Sequence, residues 1–274
     1  MNVFTAALAA ALVVAWAVLV IVAQQLNPEQ SPLSMGMSGL ARGHCPWVMK
    51  SAFLCRGGAA LMLLIALPAV VGVAGLTLSG VLAFWVWGVA SAALALIDTD
   101  MPGEPPSQMG AVHITVAMLA YVCGVVGAVV LSVVVLRMHA LGGASVLALL
   151  LALAAAVAMV VQFVAFGVAA GEGRTAAEGA ALAAAAGVAT TAVTPDAAAP
   201  PAGVPPQLTA AGQTPPGARS GRAPTVRRGP GDRARDLLAV FDALAPYAGL
   251  LQRVFVGLLM AWTLLVAVGV VRSY

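Results

Sequence analysis

Charge is scarce in this sequence. Only 8% of its 274 residues are Asp, Glu, Lys or Arg, against about 25% in an ordinary soluble domain. A chain so poor in charge cannot cover a water-facing surface, which excludes a soluble fold with an oversized core. Basic residues are also too localised for a nucleic-acid reader, which needs a basic face on a folded surface. Half of the arginine, six of twelve residues, lies between Arg219 and Arg235. Cysteine is limited to Cys45, Cys55 and Cys123, with no spacing for zinc, haem attachment or a redox pair. Cys45 and Cys55 could meet across a helix start, but buried thiols acting as small hydrophobes are the preferred reading. Only His113 of the three histidines is placed to serve a bundle interior, so paired axial haem ligation is excluded. No cofactor is named by the sequence.

What fills the sequence is apolar. Hydrophobic residues make up 62% and the mean hydropathy is +1.01, and the apolar residues fall into runs long enough to cross roughly 30 Å of hydrocarbon. Six transmembrane helices are expected, at about 3–23, 52–73, 76–97, 111–136, 144–169 and 250–271. The fold class is therefore all-α, an integral membrane bundle, and the expected location is the cell membrane, as a multi-pass protein. The first run has neither a basic leader nor a small-residue cleavage site before its end, so it reads as a retained helix.

Between 27 and 50 the prolines and glycines Pro28, Pro32, Gly36, Gly39, Gly43 and Pro46 mark non-helical backbone. A second loop, 98–110, is acidic and proline-rich. Residues 171–231 are Ala, Gly, Pro and Thr with scattered arginine, a composition that buries too little apolar surface to order itself. Within it, 176–188 has high helix propensity. Residues 232–246 read as an amphipathic helix at the membrane surface, and 247–274 as the last span. The expected organisation is thus a membrane domain over 1–170, a disordered loop, an interfacial helix and a final span.

With six spans, the two ends of the chain share one face and the first, third and fifth loops share the other. Arg42, Lys50, Arg56, Arg174 and Arg253 fall on the loop face, Arg137 and Arg272 on the opposite one, so a positive-inside count favours cytoplasmic loops.

The stretch Asn27-Pro28, Ser31, Ser38-Gly39-Leu40, Gly43, Pro46-Trp47, Phe53, Gly57, followed by Asp98-Thr99-Asp100 and His113, resembles the domain of unknown function 998 family. Its members are bacterial and archaeal membrane proteins with about six spans. The resemblance covers the first four spans well and the last loosely. It implies a six-helix bundle with a polar face, and it implies no activity.

Candidate chemistry gathers on the loop face. Arg56 opens the second expected span, Asp98 closes the third, His113 opens the fourth and Arg253 opens the sixth. Asp98 or Asp100 is expected to pair with Arg56 or His113 in a vestibule there. One use is catalytic: His113 as proton acceptor or metal ligand, Asp98 and Asp100 as orienting carboxylates, and Ser38 as a hydroxyl, on a lipid or polyprenyl substrate. The other use is mechanical, the same residues pinning helices and loops. Spans without a charged residue at depth argue against a coupled ion transporter. The leading expectation is a structural or lipid-interacting membrane protein. Its partners are the lipid bilayer and, through Arg219–Arg235, anionic lipid; the alternative is a membrane-embedded hydrolase or transferase.

Overall fold

The computed structural model of the chain describes residues 2–72, 78–101, 103–191 and 242–274, the stretch 168–191 by its backbone alone. The described residues are helical with short turns and contain no strand. Helix α1 spans Asn2–Leu26, α2 Pro46–Ala66, α3 Pro68–Val71, α4 Leu78–Ala93, α5 Gln108–Arg137, α6 Ala144–Thr191 and α7 Ala248–Arg272. Two 3₁₀ turns, Met37–Ala41 and Ala245–Tyr247, shape the first loop and the entry to α7.

Five helical stretches are long and apolar enough to cross a membrane: 2–26, 46–71, 108–137, 144–167 and 242–272. The third expected span is represented by α4, with 16 residues and therefore about 24 Å of helix. The bundle is thus the expected all-helical one, five full spans plus a shorter apolar helix.

Proline and glycine set the boundaries. Pro46 occupies the first turn of α2, where its fixed φ suits the helix and its missing N–H costs nothing. Pro68 ends the regular run of that helix, and Gly72, at φ +69°, turns the chain in a conformation open to a residue without Cβ. The α5–α6 turn uses His139 and Gly142, both at positive φ.

Packing relies on small residues, as expected where lipid offers no hydrophobic drive between helices. At Gly57 a Cβ would lie 2.5 Å from the Gly88 carbonyl oxygen and 2.9 Å from Ala92, so α2 and α4 run backbone to backbone. Gly124 and Gly127 of α5 leave room for Trp87 and Phe84 of α4. In α6, Ser145, Ala148, Ala152, Ala155 and Gln162 are buried and form one stripe at three-, four- and seven-residue spacing. Phe84 lies 4.8 Å from Trp87 and 5.1 Å from Trp262 between ring centroids. Trp262 donates to Ser132 Oγ at 2.7 Å, so the largest buried aromatic on α7 is satisfied inside the bundle.

The chain divides into two compact units, Met1–Ala169 with Phe241–Tyr274, and Ala170–Val240. Of the second, only the end of α6 is described. That helix carries on through 171–191, including the alanine-rich run of high helix propensity. The rest of the expected disordered loop, and the expected amphipathic helix before Asp242, lie outside the described residues.

Candidate functional sites at the two ends of the bundle

The first loop is held down from several sides. Asn27, fully buried, donates to the Ala23 carbonyl at 2.7 Å and the His44 carbonyl at 3.2 Å, and accepts from the His44 N–H. Gly43 is forced by this knot, because a Cβ there would overlap Asn27 and Gln30. From α7, Arg253 donates to the carbonyls of Pro32, Met35 and Gly249 and to Gln24 Oε1, at 2.7–3.1 Å. Its neighbour Gln252 accepts from the Met37 N–H at 2.7 Å and donates to the Tyr121 hydroxyl at 2.8 Å. Gly249 lets α7 touch the Met35 backbone directly.

At the mouth of α5, His113 is buried and both ring nitrogens are engaged. Nδ1 lies 2.6 Å from the Ile97 carbonyl and Nε2 lies 2.9 Å from Ser38 Oγ. A carbonyl can only accept, which places the proton on Nδ1 and leaves Nε2 to accept from the Ser38 hydroxyl. Ser38 is partly exposed while its histidine is not. A hydroxyl, a base and a group orienting that base are therefore aligned, with a backbone carbonyl where a carboxylate often stands.

The two sequence-predicted carboxylates do other work. Asp98 pairs with Lys50 at 2.8 Å, and not with Arg56 or His113 as expected. Lys50 lies within reach because α2 starts six residues earlier than its hydrophobic run suggests. Asp100 accepts from the Ser107 N–H at 2.9 Å and the Ser107 hydroxyl at 2.6 Å. Ser107 is itself the N-cap of α5, accepting from the Gly110 N–H. Those donors hold the Asp100 carboxyl below its ordinary range, with Arg42 adding a smaller pull in the same direction. Arg42 bridges to Glu104 at 3.0 Å and to the Thr99 carbonyl at 2.7 Å.

The early start of α2 also relocates Arg56. It is the eleventh residue of the helix, about 9 Å below Lys50 along the axis, and is fully buried. Arg56, expected to open the second span, thus lies well inside its helix. Cys45 caps α2 and Cys55 lies ten residues further on, about 15 Å along the axis, too far for a disulfide; both thiols are free. Among the described residues no three His, Cys, Asp or Glu side chains group as metal ligands.

A family model described as a protein of unknown function, DUF998, matches residues 9–194. The chain belongs to the DUF998 family. The match begins within the first expected span, takes in the second to fifth with the whole first loop, Asp98-Thr99-Asp100 and His113, and ends before the last span, which the resemblance was expected to reach loosely. No curated protein and no solved structure matches the chain.

At the opposite end of this DUF998 protein, a groove of about 240 Å³ opens between the α5–α6 turn and the end of α7. Ala140, Leu141, Ala144, Leu265, Val268 and Gly269 give it apolar walls, and Arg272 with Ser273 forms the rim. Arg137 ends α5 at the same level. No sequence signal beyond the two interfacial arginines marked this groove, and the loop-face partners Lys50, Tyr121 and Gln252 were missed as well. The arginines 219–235 lie outside the described residues.

Proposed function

We propose that this membrane protein acts by binding lipid, and that its loop-face residues are chiefly mechanical. The observation that carries the reading is the groove beneath Arg272. Apolar walls suit an acyl chain, and a guanidinium at the interfacial rim suits a headgroup phosphate. The described residues of this end carry Arg137 and Arg272 and no acidic side chain. On the loop face, by contrast, Asp98, Asp100, Arg253 and His113 are engaged with neighbouring groups of the chain, which is what pins require. The test is lipid retention by native mass spectrometry in Arg272→Gln. Removing one interfacial cation, worth about 1 kcal/mol, is expected to lower the retained phosphatidylglycerol relative to phosphatidylcholine by about fivefold. Equal retention by wild type and variant would sink the reading.

The aligned Ser38 and His113 favour a second reading, a membrane-embedded hydrolase or acyl transferase on a lipid ester. Ser38 Oγ would attack the acyl carbon, its proton passing to His113 Nε2 and then to the leaving alkoxide. A fluorophosphonate probe separates the two. Labelling at Ser38 that disappears in His113→Ala supports the enzyme. Absence of labelling, with a His113→Ala variant weakened by the about 1–3 kcal/mol of a broken buried hydrogen-bond set, supports the pin.

A further inference from the structure

Arg56 is an anomaly that neither reading uses. Its side chain is fully buried, and Nε and both Nη atoms have no hydrogen-bond partner among the described residues. The guanidinium carbon sits 5.2 Å from the Phe53 ring centroid and 5.9 Å from that of Tyr121. Aromatic faces offset part of a cation's desolvation and the Tyr121 hydroxyl interacts with the guanidinium, but that leaves most of its five N–H donors without an acceptor.

Two further orphans face the same problem. Ser91 Oγ and Trp87 Nε1, both on α4, are buried without partners. The contact of Gly57 with Gly88 and Ala92 sets Ser91 at the level of Arg56 in this helix pair, with Trp87 one turn away. Each group can donate, and together they form a donor-rich layer with no counter-charge. Of the described acidic side chains of the loop face, Asp98 is taken up by Lys50, Asp100 by Ser107 and Glu104 by Arg42, while Glu29 and Asp242 are exposed at the surface. A bare cation enclosed in a lipid-embedded bundle is costly and marks a binding function when it persists.

We propose that Arg56 anchors an anion site inside the bundle beneath the first loop, and that its ligand is a phosphate group, on a lipid headgroup or free in solution. The planar fork of the guanidinium matches two phosphate oxygens at once, and Ser91 offers a further donor at that level. The site is linked to the loop face. Tyr121 beside Arg56 is hydrogen-bonded to Gln252, which holds the Met37 N–H of the turn that carries Ser38. The proposal goes beyond the groove at the far end, and variants of Arg56 leave that groove intact.

The experiment is thermal unfolding of the full chain, purified in neutral detergent without phosphate. It is titrated with inorganic phosphate and compared in phosphatidylcholine vesicles with and without phosphatidylglycerol. The wild type is expected to gain several degrees, saturably, as a ligand binding only the folded state requires. Arg56→Met, which removes the buried charge at similar volume, should unfold no earlier than wild type without anion and gain nothing with it. Arg56→Lys, which keeps the charge and loses the fork, should respond with at least tenfold weaker half-saturation. A response to phosphate alone identifies the free anion; a response only to phosphatidylglycerol identifies the headgroup. The site is overturned if wild type responds to neither probe, or if wild type and Arg56→Met respond equally. An equal response would assign a phosphatidylglycerol effect to the groove and a phosphate effect to general salt action.

Discussion

Asp100 shows how much of the loop face is decided by single hydrogen bonds. Its carboxylate accepts from both donors of Ser107, the cap of α5, and Gly110 leaves the space it occupies. The folded state therefore favours the charged form, and the folded pKa lies below the unfolded one. Such a group contributes stability that is present above the unfolded value, near 4, and is lost as pH falls through the folded value. Melting temperature measured against pH should lose this contribution only below about pH 4. In Asp100→Asn that acid limb should be shallower, because the amide offers only one acceptor atom and no charge. An unchanged limb would mean that Asp100 is not held down by Ser107. At this scale the sequence was informative about residue type and poor on partners. Asp98, Asp100, His113 and Ser38 stood out because polar groups beside apolar runs are few. Lys50, Tyr121 and Gln252 carried no such signal, since a lone glutamine or tyrosine in a span resembles any other. Arg56 was placed too near the surface because the hydrophobic run begins at Ala52, whereas the helix begins at Pro46, whose first-turn preference was the better guide.

Helices α2 and α4 are joined by a contact that tolerates no side chain at Gly57. The missing Cβ places the Gly88 carbonyl and Ala92 against the α2 backbone, and the same approach brings Ser91 level with Arg56. Backbone cannot yield as a flexible side chain can, so Gly57→Ala must separate the two helices. The expected cost is about 1–3 kcal/mol, the range for overpacking a close-packed site, read as a lower unfolding temperature in detergent. The same addition at Gly257, where a Cβ meets nothing within 4 Å, should be close to neutral. If both variants unfold alike, the close approach is not what holds α2 to α4. The helices themselves were legible because a run of apolar residues long enough to span lipid has few other uses. The first loop was legible only as irregular backbone. Its shape depends on Arg253 and Gln252, more than 200 residues away, and on the knot around Asn27. Such long-range partners leave no periodicity to read.

For the molecule as a whole, two contacts orient the bundle. Asn2 reaches the Tyr274 hydroxyl at one end, and Gln24 meets Arg253 at the other. The start of α1 and the end of α7 therefore share a face with the Arg272 groove, opposite the first loop. Cys45 is an exposed free thiol on that loop, which makes it a native reporter of sidedness. A membrane-impermeant maleimide should label Cys45 from one side of the membrane and an introduced Ser273→Cys only from the other. The basic residues favour the loops as cytoplasmic, so Cys45 is expected to react in inside-out vesicles and to be protected in right-side-out ones. The reverse pattern would keep the opposition of the two ends and overturn the orientation, placing the first loop and Ser38 outside. Labelling of both thiols from the same side would contradict the arrangement of α1 and α7, and with it the separation of groove and loop on which the two proposed sites depend.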